Sequence, residues 1–170
     1  MTRTDRGDVR GDLEAVFRRD YHRVVGVAAR VLGSQAEAED VAQEVFLSFS
    51  RSSVPGDEAR AWLSVAAAHT ALNVIRSGRR RASRETAAAE SGVLGDVADA
   101  VVTLEERTRV RAALALLPEK QAAALVLRHS GLSYAEVASA LDLSPGSVGT
   151  TVRRAEQTLR KELTRHASSH

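Results

Sequence analysis

The sequence predicts an all-α protein built as two small helical domains on a tether, and three observations carry that expectation. Ala, Leu, Val, Arg and Glu dominate, aromatics are scarce and only three prolines occur in 170 residues, a composition that favours helices over sheets. Apolar residues recur at helical spacing in two separate stretches. Between them, residues 82–100 hold Ala, Ser, Gly, Glu and Asp with little periodicity, as a flexible linker does. The expected division is 1–84, an acidic linker at 85–100, and 101–170.

The first helix spans Asp12 to Leu32, with Leu13, Val16, Phe17, Val24, Val27, Ala28 and Val31 on its apolar face and Gly33 as its stop. Ser34 and Glu37 spell a capping box, so a second helix follows with Ala38, Val41, Ala42, Val45 and Phe49 inward. Arg51 to Gly56 reads as a loop, and helical periodicity resumes from about Asp57 to Ser77. There Val65, Leu72 and Ile75 form the core stripe, while Trp62, Ala66, His69, Asn73, Arg76 and Arg80 line an adjacent face. Helicity returns near Val101, and Pro118 opens a helix that ends near Gly131. Ser133 and Glu136 form a second capping box before a short helix, Tyr134 to Leu141, with Val137, Ala138 and Leu141 buried. Ser144 and Pro145 then start a final helix running to about Leu163.

A net charge of +2 conceals an uneven distribution. Arginines cluster at Arg76, Arg79, Arg80, Arg81 and Arg84, and cations again at Arg153, Arg154, Arg160, Lys161 and Arg165, while Glu85 to Glu106 carries only acidic charge. Two basic ends on an acidic tether suit a nucleic-acid binder, although solvated helix faces would look the same by charge alone. The absence of cysteine excludes disulfides, thiolate zinc sites and a thiol nucleophile. His22, His69, His129, His166 and His170 show no ligand spacing, and SPGSVGTT lacks the lysine of a phosphate loop. No enzyme, metal or cofactor is expected. The opening MTRTDRGDVRGDLEAVF has no signal-peptide core and no later run is apolar enough to span a bilayer, so a cytoplasmic protein without membrane insertion is expected.

Three constellations carry functional information. Leu132 to Leu159 has the layout of a helix-turn-helix, with Ala138, Leu143 and Val148 at packing positions, though any three-helix bundle produces similar spacing. Glu39, Asp40, Gln43 and Glu44 form an acidic and amide patch on a capped helix, an arrangement that also simply stabilises a helix start. On the third helix, Trp62 offers a stacking ring, His69 and Asn73 offer polar groups, and Arg76, Arg79, Arg80 and Arg81 offer phosphate contacts, as single-stranded DNA binding requires. A core tryptophan beside a basic helix end is the alternative there.

Taken together, EAEDVAQEVFLSFS (37–50), WLSVAAAHTALNVIRSGRRR (62–81) and the stretch LLPEKQ to TLR (116–160) resemble the extracytoplasmic-function (ECF) class of bacterial RNA polymerase sigma factors. The resemblance covers nearly the whole chain apart from the tails and linker. It implies a region 2 domain that binds core RNA polymerase through positions matching Asp40, Gln43 and Glu44, beside Glu39. It implies that the loop from Arg51 to Ala61 and the following helix capture a flipped base of the minus-ten promoter element. It further implies a region 4 domain that reads the minus-thirty-five element, here through Ser144, Ser147, Thr150, Thr151, Arg153 and Arg154, and it makes an anti-sigma factor a possible partner. His69, Asn73 and Ala68 depart from the family's usual residues, as do Gly149, Thr151 and Glu156, which implies altered promoter preference and weaker duplex binding. The reading from another class is a polymerase-independent helix-turn-helix regulator that binds operators as a dimer.

Overall fold

The computed structural model describes residues 10–84 and 104–169, and among these all regular structure is helical. The seven helices are α1 (Leu13–Leu32), α2 (Gln35–Ser50), α3 (Ala59–Arg84), α4 (Leu104–Leu116), α5 (Glu119–His129), α6 (Tyr134–Leu141) and α7 (Pro145–Ala167). The expected linker at 85–100 and the return of helicity at Val101 lie outside the described residues.

α1 to α3 pack on one another around Val24, Val27, Val31, Phe49, Leu63 and Leu72, all with essentially no solvent exposure. Burying each such side chain contributes about 1.5–3 kcal/mol. Gly33 ends α1 as expected, at φ 65°, with its N–H donating to the Ala29 carbonyl at 2.8 Å. Phe17 departs from expectation. It is 41 % exposed and belongs to an aromatic cluster with Tyr21 and Phe46, at centroid distances of 4.7 and 5.0 Å.

Only half of the first capping box forms. The Ser34 hydroxyl accepts from the Glu37 N–H at 3.3 Å, but the Glu37 carboxylate points to Arg111 at 2.7 Å instead of folding back. A charged donor on a neighbouring helix outcompetes the local amide. α3 is longer than its apolar periodicity indicates, because the arginine-rich stretch continues the helix through Arg84 after the core stripe has ended.

In the second group, α5 buries Ala122 to Leu127 and α6 carries the complete capping box, with Glu136 N–H to Ser133 Oγ at 3.1 Å and Ser133 N–H to Glu136 Oε2 at 2.7 Å. Asp142 adopts the left-handed conformation (φ 54°), which aspartate tolerates better than most residues, and its N–H donates to the Ala138 carbonyl. That turn swings the chain into α7, where Pro145 occupies the first turn and Val148, Val152 and Ala155 face inward. Ser144 makes no side-chain bond to the backbone amides of the helix start; its hydroxyl instead donates to Ser147 Oγ at 3.0 Å. α7 ends at Ala167, beyond the expected Leu163. The buried residues of both groups join in one continuous apolar cluster, with α3 against α4 and α5, and α1 against α4.

Candidate functional site

Asp40, Gln43, Glu44 and Leu47 follow helical steps of three and four along α2 and all are exposed, Leu47 to 53 %. Glu39 lies further round the helix, where it accepts from Gln35 Nε2 at 3.3 Å. An acidic and amide strip with one bare leucine can bind a basic helical partner through charge and a small apolar contact. Leu47 carried no sequence signal, because its exposure follows from how α2 is rotated against α1 and α3.

On α3, Asn73 is exposed and His69 half-buried, one helical turn apart. Trp62 is half-buried with its ring 5.8 Å from that of Phe49, so much of its surface packs on the core. Ala68 is fully buried, so that position faces the core. Arg76 is largely enclosed: it donates to the Leu117 carbonyl at 3.3 Å and lies 3.9 Å from Glu119. Arg79, Arg80 and Arg81 continue the same helix.

The loop between α2 and α3 is held by a residue that sequence reasoning missed. Arg10 sits with its guanidinium 4.0 Å from the centre of the Phe49 ring and donates to the carbonyls of Phe49, Ser52 and Val54, the last at 2.5 Å. Asp12 anchors it through two bonds of 2.7 and 2.8 Å. Hydrogen bonding to Arg10 holds the Asp12 carboxyl below the usual aspartate range, and Asp12 in turn raises the Arg10 guanidinium. Arg10 precedes the first helix in a stretch with no pattern, so nothing in the sequence marked it.

α7 presents Thr150, Arg153 and Arg154 to solvent, opposite the buried Val148, Val152 and Ala155. Ser144 is exposed, while Ser147 and Thr151 are half-buried with their hydroxyls donating to the carbonyls of Ser144 and Ser147, each at 2.8 Å. At about 100° per residue, Thr150 lies nearly opposite the core, whereas Gly149 and Thr151 fall on its two flanks. Gly149 borders a shallow groove with Arg128, His129, Tyr134, Arg153 and Glu156, and Arg128 stacks 4.6 Å over the Tyr134 ring.

A short capped helix, a left-handed turn and a longer helix with outward cations define a helix-turn-helix DNA-binding unit, here joined to a separate helical bundle with its own polar faces. Comparison with known proteins narrows the class. Residues 16–81 match the model of sigma-70 region 2 and residues 107–159 that of sigma-70 region 4. The chain is 31% identical to the RNA polymerase sigma-H factor of Pseudomonas aeruginosa, covering 96% of this chain and 91% of that one. It is likewise 31% identical to the sigma factor CarQ of Myxococcus xanthus, covering 88% of each chain, and to the ECF sigma factor SigK of Mycobacterium sp. (strain KMS), covering 82% of this chain and 76% of that one. Its fold is similar to that of the sigma factor RpoE in the complex with the anti-sigma factor NepR from Bartonella quintana, with a TM-score of 0.60 at 21% identity over 90% of this chain and 97% of that one. The chain belongs to the ECF RNA polymerase sigma factors, and its function is to bind core polymerase for transcription initiation. It acts as a DNA-binding initiation factor and not as an enzyme. A polymerase-independent regulator is not favoured, since it would have no use for region 2. Among the described residues no helix is long and apolar enough to cross a membrane.

Proposed function

We infer that residues 1–84 and 101–170 act as separate functional domains, one docking on polymerase and reading the minus-ten element, the other reading the minus-thirty-five element. Asp40, Gln43 and Glu44, with Glu39 beside them, meet a basic surface of core polymerase. The loop ordered by Arg10, with Trp62, His69 and Asn73, receives an unstacked base, and Arg76, Arg79, Arg80 and Arg81 hold the adjoining phosphates. Ser144, Ser147, Thr150, Thr151, Arg153 and Arg154 face the upstream duplex. The observation that supports this most is that the α2 strip, Asn73 and the outer face of α7 are exposed on helices matched to the two family regions in order. A cytoplasmic site of action and control by an anti-sigma factor belong to the same reading, the latter supported by the likeness to a sigma factor seen with such a partner.

Run-off transcription with core polymerase across a genomic promoter library tests the assignment. Promoter-specific initiation that responds to Asn73 and Arg153 substitutions at different elements is expected. Tight binding of a palindromic duplex by the chain alone, with no initiation gained by core polymerase, would overturn it.

A further inference from the structure

The loop at residues 51–58, between α2 and α3, has an alternating surface. Arg51, Ser53, Pro55 and Asp57 are exposed, whereas Ser52, Val54 and Gly56 are half-buried, the alternation expected of extended chain lying along a surface.

Two arginines from the N-terminal end of the chain hold the half-buried row. Arg10 donates to the carbonyls of Ser52 and Val54 and to the Ser52 hydroxyl, and Arg19 of α1 donates to the Gly56 carbonyl at 2.9 Å. Each guanidinium is itself aimed by a carboxylate. Asp12 grips Arg10 through two bonds, and Asp20, only 3 % exposed, accepts from Arg19 at 3.0 Å. The two arms meet at Gly56. A Cβ there would lie 2.7 Å from Asp12 Oδ2, the oxygen that accepts from Arg10 Nη2, so Asp12 could not step aside without releasing Arg10. Arg10 also lies over the Phe49 ring, which packs in turn against Trp62, so the loop and the outer face of α3 share one support.

We propose that Arg10 and Arg19 are positioning residues for base capture: together they hold the α2–α3 loop in the shape that turns Arg51, Ser53 and Asp57 outward, toward the melted minus-ten strand. The proposal rests on the reading that this loop receives the unstacked base. A flexible loop must be ordered each time a base enters, which costs affinity, whereas a loop ordered in advance carries no such cost. Discrimination depends on the same order, because hydrogen-bonding groups held loosely accept a wrong base nearly as well as the right one. Arg10 is too enclosed to meet DNA itself: its side chain is 17 % exposed and its donors are taken by Asp12 and the loop. The task also calls for arginine. A planar guanidinium donates in several fixed directions, and an ammonium cannot span the carboxylate and the carbonyls together.

The test uses holoenzyme assembled from the full chain and core polymerase, with a randomised single-stranded DNA library as the probe. The parent is expected to select particular bases. Arg10→Ala and Gly56→Ala should each flatten that preference by on the order of tenfold, at the positions that Ser53→Ala and Asp57→Ala flatten. Holoenzyme assembly and the far-ultraviolet spectrum should stay unchanged. Arg19→Ala should act in the same direction to a smaller degree, since its side chain is 54 % exposed and it holds a single loop carbonyl. Arg10→Lys should resemble Arg10→Ala, a result that loss of positive charge would not give. Preference retained in Arg10→Ala, or restored by lysine, would overturn the brace. Uniform loss at every position together with weaker assembly would show general unfolding and overturn it as well. A parent that selects no sequence would overturn the minus-ten reading and the proposal with it, an outcome distinct from a selective parent whose Arg10→Ala variant selects equally well.

Discussion

Gly149 offers the sharpest test of how α7 meets DNA. A Cβ built there finds no atom within 4 Å, and the residue sits inside a regular helix, so a longer side chain enters open space. Gly149→Lys should stabilise the helix by about 0.5–1 kcal/mol, because glycine is the poorer helix former. Gly149 lies on the flank of α7 beside the groove that Arg153 and Tyr134 also line, off the outermost line of the helix, and on the proposed reading a cation there is expected to meet a phosphate. One added phosphate contact steepens the dependence of log affinity on log salt by about 0.9. Between 50 and 200 mM salt that amounts to roughly 3.5-fold extra loss of affinity for the variant, with a gain over the parent at the low-salt end. Fluorescence anisotropy of the full chain on a minus-thirty-five duplex at several salt concentrations reads this directly. An unchanged slope, with the thermal midpoint raised as expected, would show that this flank does not approach the duplex. Thr151→Arg is the less favourable partner change, since Thr151 is half-buried and its hydroxyl already donates to the Ser147 carbonyl.

Other outcomes follow from the same surfaces. Reversing Asp40 and Glu44 to lysine should weaken core polymerase binding by at least about tenfold, or 1.4 kcal/mol, with the far-ultraviolet spectrum unchanged; equal affinity would remove α2 as the docking face. His69→Ala should change which base is preferred in the minus-ten element, while Arg80→Ala should lower the salt slope by about one without changing preference, and footprints across promoter variants would expose a reversal of those roles. Because Arg10 holds the Asp12 carboxyl low, the stabilisation from that pair is complete above the ordinary aspartate range and is lost as pH falls through the depressed value. Amides at Ser52 and Val54 should therefore exchange faster, relative to those of α5, below about pH 4. Asp12→Asn should produce the looser loop already at neutral pH, and exchange insensitive to both changes would free the loop from Arg10.

The fold was legible wherever local chemistry decides the outcome. The full capping box at Ser133 and Glu136, the stop at Gly33 and the start at Pro145 each depend on a few neighbouring residues, and the structure places them as the sequence does. Errors arose where a distant group intervened. Glu37 looked like a capping partner until Arg111, 74 positions away, offered a charged donor. Phe17 fits the helical period of α1 and yet lies at the rim of the bundle, tilted against Tyr21 and edge-on to Phe46. In the candidate site, the exposure of Asp40, Gln43, Glu44, Thr150, Arg153 and Arg154 followed from helical phase. The enclosure of Arg76 and the loop clamp of Arg10 did not, because a sequence does not show which carbonyl a long flexible cation will find across the fold.

The thinly charged face of α7 bears on how such a factor achieves selectivity. On the proposed reading, with Gly149 and Thr151 in place of cations, the upstream surface would rely on Arg153, Arg154 and small hydroxyl groups, of which those of Ser144, Ser147 and Thr151 already donate to neighbours in the chain. Weak upstream binding is no handicap once polymerase fixes both domains, since the second contact then forms at an effective concentration set by the assembly. Outside the assembly each surface alone would bind too weakly to hold scattered promoter-like sites. Strengthening α7 should consequently raise occupancy at incomplete promoters more than at complete ones. Run-off transcription of the Gly149→Lys variant on templates with a damaged minus-ten element measures that difference, and an equal gain on intact and damaged templates would show that the two contacts act independently.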